Sequence, residues 1–394
     1  MLFQSRELPH FVILYAAIYA AFGVTSPFWP RFFEARGLAP EQIGLLFGLA
    51  TMVRLTAGPC AGRVADLLGT LRAVLAVCAF IAAGAALGLF AVNGFWPLLL
   101  IHACQAAALA PISILADALA LSAAAPRHGR RRGFEYGFVR GSASAAFIVG
   151  VLAAGETLAS AGFTPIIWTH AALLVAAAVG AAFVPAIEAD SRIRTHERGS
   201  AFAGVRELFG MPAFRRLVLV AALIYGSHAM HDAFAIIRWN AAGIGSTSSS
   251  ILWSEAVAAE VIVFFVVGPR LVNWLDIRGA VALAATAGVV RWIVMAQSTN
   301  VAVLALVQPL HGLTFALTHL ACMRLIASTA PPHLAATAQA LYMFGPGIAT
   351  ALLTTLSGQL YAQFGPEGFL VMAFLCGAAI PVSLGFRIEE TPSR

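Results

Sequence analysis

The chain contains no lysine, so every permanent cation on a side chain is an arginine. That absence excludes Schiff-base chemistry and a lysine acting as coupling group. Charge of either sign is scarce: 11% of residues are charged and 60% are hydrophobic, with a mean hydropathy of +0.86. A soluble domain carries about 25% charged residues, so this chain has too little polar surface to cover itself as a globule in water. Cysteine is sparse as well. Cys60, Cys78, Cys104, Cys322 and Cys376 lie in or beside apolar runs without metal-ligand spacing, and read as packing residues rather than a disulfide frame or metal site. No His-Glu-x-x-His or Gly-x-Ser-x-Gly pattern occurs and the charges are spread over both halves, so neither an intramembrane enzyme nor a cofactor is expected.

What the chain does have is length of apolar sequence. A membrane span needs roughly 20 apolar residues. Runs of that kind cover 10–33, 41–61, 71–92, 96–121, 135–158, 163–185, 214–237, 250–269, 280–298, 301–324, 335–361 and 366–386. The expectation is an all-α membrane protein of twelve transmembrane helices. The first run is too long for a signal-peptide core and lacks a small-residue cleavage site, so it reads as a retained helix. The longest polar stretch, 187–212, divides the chain into an N-terminal six-helix bundle (1–186) and a C-terminal one (213–394), with itself as the tether.

The halves share a pattern. Gly58-Pro59, Asp66 and Gly69 recur 210 positions later as Gly268-Pro269, Asp276 and Gly279, and the same offset pairs Tyr15 with Tyr225 and Trp29 with Trp239. Internal duplication in an apolar chain is a property of secondary transporters, whose two pseudo-symmetric halves rock about a central site.

Arginine is distributed unevenly. With the N-terminus in the cytoplasm, alternate loops carry Arg63 and Arg72, the Arg127–Arg132 cluster, Arg192 to Arg216, Arg270 and Arg278, whereas the opposite loops hold only Arg31 and Arg36. The positive-inside rule then puts both termini in the cytoplasm of a cell whose inner (plasma) membrane the chain crosses. The Arg127–Arg132 cluster joins two spans, so it reads as an orientation signal and not as a nucleic-acid patch.

Nine ionisable side chains fall inside spans or at their edges: Arg54, Asp117, Arg140, Glu156, Asp232, Arg238, Glu255, Glu260 and Arg291. Each would cost roughly 2.5–3.5 kcal/mol at the bilayer centre. Most must therefore face a wet cavity or one another. On the fourth span His102, Gln105, Ser113 and Asp117 share a face, and on the fifth Tyr136, Arg140, Ser144 and Phe147 form a stripe. On the seventh span His228, His231 and Asp232 lie together. On the tenth His311, Phe315, Thr318 and His319 do the same. Histidine titrates near pH 6.5 and can carry a proton; it can equally be a hydrogen-bonded packing group. Arg140 offers a planar fork that fits a carboxylate bidentately, and Asp117 could balance it when no substrate is bound.

These residues sit in segments that resemble the major facilitator superfamily, and within it the phenylpropionate permease-like group, related to the lactose and nucleoside proton symporters. The segments are SPFWPRFFEARGLAPEQIGLLFG (26–48), LADALA (115–120), FEYGFVRG (134–141), ILWSEAVAAEVIVFF (251–265), GVVRW (288–292) and LHGLTFALTHLACMRLIA (310–327), and the likeness extends over nearly the whole chain. The superfamily's loop 2–3 motif, a conformational latch, appears as Gly62, Asp66, Gly69 and Arg72, with Leu67 where an arginine is usual. FEYGFVRG is similar to the lactose-permease segment whose arginine holds substrate, which implies that role for Arg140. The same resemblance places a coupling arginine at Arg291 and a coupling histidine at His311, but Thr314 stands where the partner acid would be.

The resulting expectation is a proton-coupled importer of a small organic anion such as an aromatic carboxylate, working by alternating access as a monomer in the lipid bilayer, without nucleic acid, metal or cofactor. Substrate-binding candidates are Arg140, Asp117, His102, Gln105, Tyr136, Trp29 and Phe315. Proton-coupling candidates are Glu260, Glu255, Asp232, His311, His319 and Arg291. A sugar or nucleoside symporter, which would want more cavity-facing amides than Gln105, Gln297 and Gln308, a drug exporter of the same fold, and a non-transporting receptor or scaffold are the alternatives.

Overall fold

The computed structural model describes residues 7–124, 134–185 and 201–386. The Arg127–Arg132 cluster and the tether up to residue 200 lie outside the described residues, as do Arg6, Arg387 and Arg394. Among the described residues there are helices and no strand.

Among the described residues ten stretches are long and apolar enough to cross a membrane, and two of them, Ser246–Gln297 (52 residues) and Pro332–Leu384 (53 residues), are nearly three times as long as the shortest, of 18 residues. At about 1.5 Å per residue each doubled stretch spans well over twice the ~30 Å hydrocarbon thickness. Each therefore contributes two crossings, and the chain has the expected twelve. The first half comprises α1 (Leu8–Thr25), which continues after a turn as α2 (Trp29–Ala35), then α3 (Pro40–Leu68), α4 (Leu71–Gly88), α5 (Phe95–Ala124), α6 (Tyr136–Ala161) and α7 (Phe163–Phe183). The second comprises α9 (Pro212–Gly226) with α10 (Ala229–Ala241), α11 (Ser246–Ile262), α12 (Gly268–Gln297), α13 (Val301–Val307), α14 (Leu310–Gly312), α15 (Thr318–Thr329), α16 (Ala335–Phe364) and α17 (Phe369–Leu384). Inside the stretch read as a tether, Ala201–Gly210 forms a helix, α8, whose Leu208 is fully buried with α9 residues in the core of the second half.

Two compact units emerge, Met1–Thr195 with Ile236–Ser254, and His196–Ala235 with Glu255–Arg394. The short segment around residue 246 groups with the first unit because Thr247 donates to Glu156 at 3.0 Å and Ser250 lies against Gly155.

Each unit has its own apolar core. In the first, Phe11, Leu14, Tyr15 and Ile18 of α1 are fully buried with Leu115 and Leu119 of α5 and Leu174 of α7. The crossing of α1 on α6 is close because Gly23 and Gly150 lack side chains: a Cβ at Gly23 would lie 2.1 Å from the Phe147 carbonyl oxygen, and one at Gly150 2.6 Å from that of Ala20. Small residues allow this approach in lipid, where packing replaces the hydrophobic drive between helices. In the second unit Phe214, Leu217 and Ile224 of α9 pack with Val281 and Ala285 of α12 and Tyr342 of α16.

Helix ends are satisfied locally. Arg72 donates to the Val184 carbonyl at 2.8 Å, just past α7. Arg216 donates to the Gly385 carbonyl at the end of α17, and Arg324 to Asn273 and the Val272 carbonyl. A cation on exposed terminal carbonyls offsets both their lost hydrogen bonds and the helix dipole.

The repeated Gly-Pro…Asp…Gly pattern breaks differently in its two copies. In the first, Asp66 is still helical and the chain turns at Gly69 (φ 65°), the left-handed residue that ends α3. In the second, the positive φ falls on Asp276 (φ 60°, ψ 176°), while Gly279 is helical. At φ 60°, ψ 176° Asp276 holds a conformation essentially confined to glycine, so the break at the acid, three residues before Gly279, is a strained one.

Candidate functional site

In the first unit α5 and α6 bring Asp117 and Arg140 together, with α1 supplying their hydroxyl partners. One carboxylate oxygen, Oδ1 of Asp117, accepts from Tyr15 at 2.6 Å and from Tyr136 at 2.7 Å, and lies 3.5 Å from Nη1 of Arg140. The same guanidinium nitrogen donates to the Tyr19 hydroxyl at 2.6 Å, with its carbon 5.4 Å from the Tyr19 ring centre. Tyr15 and Tyr19 stack on each other one turn apart. The side chains of Arg140 and Asp117 stay 41% and 32% exposed. This is an accessible ion pair on a phenol-lined floor, and an incoming anion can compete with Asp117 for Arg140 without unfolding anything.

Of the other substrate candidates in this unit, Trp29, His102 and Gln105 are brought together but are buried. Trp29 sits edge-on to His102 and His170, and His102 also packs edge-on against Phe33 and Phe47. Nε2 of Gln105 lies 3.1 Å from Nε2 of His170, whose Nδ1 is 2.8 Å from the Ala21 carbonyl. A carbonyl only accepts, so His170 carries its proton on Nδ1, and its Nε2 accepts from the Gln105 amide. These groups hold α1, α5 and α7 in register.

In the second unit Arg291 is completely buried and organises a line of titratable groups. Its Nη1 lies 3.1 Å from Nδ1 of His311, and its Nη2 lies 3.3 Å from Nε2 of His231 and donates to Oε1 of Gln308 at 2.9 Å. The guanidinium also rests 4.5 Å from the centre of the Trp292 ring. On the far side of each histidine stands an acid: Nε2 of His311 is 3.4 Å from Glu260, and Nδ1 of His231 is 3.3 Å from Asp232. Guanidinium nitrogens only donate. Each imidazole must therefore accept from Arg291 and turn its own N–H toward its carboxylate. The result is Glu260–His311–Arg291–His231–Asp232, with a buried cation at the centre and acids at the ends, 30% and 58% exposed. An imidazolium has no acceptor, so protonating either histidine breaks its bond to Arg291.

The backbone around this line is irregular. Five-residue π-helical turns, Val263–Val267 and Leu313–Leu317, follow Glu260 and His311 within three residues. Such turns inside α-helices are frequent at functional sites. Phe315 lies in the second of them, stacked on His311 and 40% exposed. His319 stands apart from the line: its Nδ1 is 3.2 Å from the Tyr342 hydroxyl, which in turn meets Tyr225 at 2.9 Å. Glu255 is half-buried and joins no ion pair among the described residues. Thr314, at the position where an acid was sought, is buried and donates to the His311 carbonyl at 3.1 Å.

At the junction of α3 and α4, Asp66 in the last turn of α3 is exposed, Gly69 makes the turn, and Arg72 in the first turn of α4 is engaged with the end of α7. Gly62 has open space where a Cβ would be. Sequence reasoning missed Tyr15 and Tyr19 as partners of the Asp117–Arg140 pair; two phenols one turn apart on an apolar span were the available signal. It also missed His170, which had none.

A family profile described as the MFS_1-like family matches residues 9–372. The chain is 30% identical over 392 residues, 96% of itself and 97% of the relative, to a probable 3-phenylpropionic acid transporter of Escherichia coli (strain K12). It is 26% identical over 367 residues, 90% of itself and 88% of the relative, to the maltose permease of Geobacillus stearothermophilus. Among solved structures, the nucleoside transporter NupG superposes with a TM-score of 0.80 at 15% identity, covering 96% of this chain and 98% of that one. The chain is a multi-pass membrane transporter, and it belongs to the MFS_1-like family of the major facilitator superfamily.

Proposed function

We propose that the chain couples inward proton movement to the import of a small organic anion, an aromatic carboxylate of the phenylpropionate type. The observation that carries this reading is Arg140 held accessible beside Asp117. A guanidinium whose counter-ion is a weakly paired, half-exposed acid is prepared to exchange that acid for a substrate carboxylate in a bidentate fork. The transporter of Escherichia coli, described as probable for 3-phenylpropionic acid, supports the same substrate class. Phe315, stacked on His311 and exposed, offers an apolar wall in the second unit.

Proton coupling is assigned to Glu260 and Asp232, the exposed ends of the Arg291 line, with His311 and His231 passing the change to the buried arginine. A proton taken up at Glu260 removes the charge that orients His311. A proton taken up by His311 itself expels it from Arg291. Either event changes what Arg291 can hold, which is the kind of discrete rearrangement that alternating access requires. Glu255 and His319 remain secondary candidates, and Gly62, Asp66, Gly69 and Arg72 a conformational latch. On the arginine distribution, both termini are placed in the cytoplasm.

A second reading, a sugar symporter, draws on the maltose permease among the relatives. It fits less well because two of the three in-span amides, Gln105 and Gln308, are buried and already bonded to His170 and Arg291. The test is uptake into proteoliposomes under an imposed inward proton gradient, with 3-phenylpropionate, maltose and a nucleoside as labelled substrates. Gradient-driven accumulation of the aromatic acid alone is the expected result. Accumulation of maltose or nucleoside in its place overturns it.

A further inference from the structure

Four arginines lie within spans, and three of them are engaged: Arg140 with Asp117 and Tyr19, Arg291 with two histidines and Gln308, and Arg238 with its own surroundings. Arg54, in the middle of α3, has no hydrogen bond or ion pair among the described residues. A cation at mid-span is costly unless water or an anion attends it.

The direction of Arg54 shows where such an attendant would sit. At 100° per residue Arg54 is only about 20° from Phe47 and 40° from both Ala50 and Gly58 around α3. Those three face protein: Phe47 packs against the His102 ring, Ala50 is buried, and a Cβ at Gly58 would touch Ile114 of α5. Before Pro59, the outward apolar residue of α3 is Leu49, which points about 140° away and is 40% exposed. Arg54 therefore emerges on the protein-facing side of α3 and is still exposed there. Helical side chains lean toward the N-terminus of their helix, which carries the guanidinium toward the half-buried Phe47 ring.

We propose that Arg54 is a second anion-recognition group of the first unit, the cation a substrate carboxylate can engage without displacing an internal acid, with the Phe47 ring beside it for the apolar part of the ligand. This deepens the organic-anion reading above and rests on it. Arg140 must first lose Asp117; Arg54 has nothing to lose. Two such forks select against neutral analogues of the same shape, because an uncharged amide leaves both cations as they were.

The test uses full-length protein in proteoliposomes, with 3-phenylpropionate as substrate and neutral 3-phenylpropionamide as competitor. Arg54→Gln is expected to raise KM for the acid roughly 10- to 100-fold, the span of one charge-assisted hydrogen-bonding group, with kcat within about a factor of two and inhibition by the amide unchanged. Arg54→Lys, which keeps the charge but loses the fork, is expected to raise KM several-fold, and serves alone if Arg54→Gln is not inserted. Wild-type KM in either inserted variant overturns the proposal, as does a parallel loss of amide inhibition, which marks a structural role. Absence of saturable acid uptake by the unsubstituted protein overturns this proposal together with the organic-anion reading; uptake that survives Arg54→Gln at wild-type KM overturns this one alone.

Discussion

Replacing Asp117 by asparagine separates an ion pair that competes with substrate from one that only holds helices together. All three contacts of Asp117 converge on one oxygen, Oδ1. An asparagine amide keeps an acceptor there for Tyr15 or Tyr136 but removes the charge opposite Arg140. With partners 41% and 32% exposed and 3.5 Å apart, the pair is screened and worth about 0.2–1 kcal/mol. If a substrate carboxylate must take the place of Asp117, that quantity returns to binding, and KM for an anionic substrate falls about 1.5- to 5-fold. Stability moves the other way. Two charge-assisted hydroxyl bonds become neutral ones, each weaker by about 1 kcal/mol, so Asp117→Asn loses about 2 kcal/mol and melts at a lower temperature in detergent. The paired measurement is KM in proteoliposomes and apparent Tm of the purified protein. A lower Tm with KM unchanged or raised refutes the competition argument and leaves Asp117–Arg140 as a structural bridge.

Three further outcomes are expected. Arg140→Lys keeps the charge but loses the fork, so it should abolish uptake of an anionic substrate while membrane expression is retained; unchanged uptake removes Arg140 from the site. Glu260→Gln should leave downhill exchange intact and eliminate uphill accumulation driven by a proton gradient, because the carboxylate facing His311 can no longer titrate; retained accumulation in proteoliposomes shifts the coupling role to Asp232. His311→Asn can still accept from Arg291 but cannot be protonated, so the pH dependence of transport should flatten, and an unaltered profile in the same assay clears His311 of that role.

Much of the architecture was legible because the bilayer leaves little choice. An apolar run of some 20 residues can satisfy its backbone in lipid only as a helix, so composition alone yields twelve crossings, even where two pairs run together at Ser246–Gln297 and Pro332–Leu384. Charged residues inside spans were legible for the same reason, since an ionisable group there must have company. Which company it keeps was not. Asp117 with Arg140 follows from neighbouring faces on adjacent spans, but Tyr15 and Tyr19 reach the pair from a helix about a hundred residues earlier. The loop repeat shows the limit from another side. Two copies of one pattern turn at different residues, Gly69 and Asp276, and nothing in the repeated residues themselves distinguishes the two outcomes.

The least legible feature is the irregular backbone beside the Arg291 line. A π-helical turn is a wider loop of backbone with no residue signature of its own. Those at Val263–Val267 and Leu313–Leu317 are known only once both helices are in place. They begin where α11 and α14 meet, with a Cβ at Gly312 only 2.6 Å from the Ala259 carbonyl. Helical periodicity carried through these turns misplaces every later side chain. It groups His319 with His311 on one face, whereas His311 bonds Arg291 and His319 meets Tyr342. The extra residue in the turn separates the two histidines into different networks. The Arg291 line takes in His311, and the same sequence run supplies, two turns later, a histidine committed to a tyrosine pair on α9 and α16.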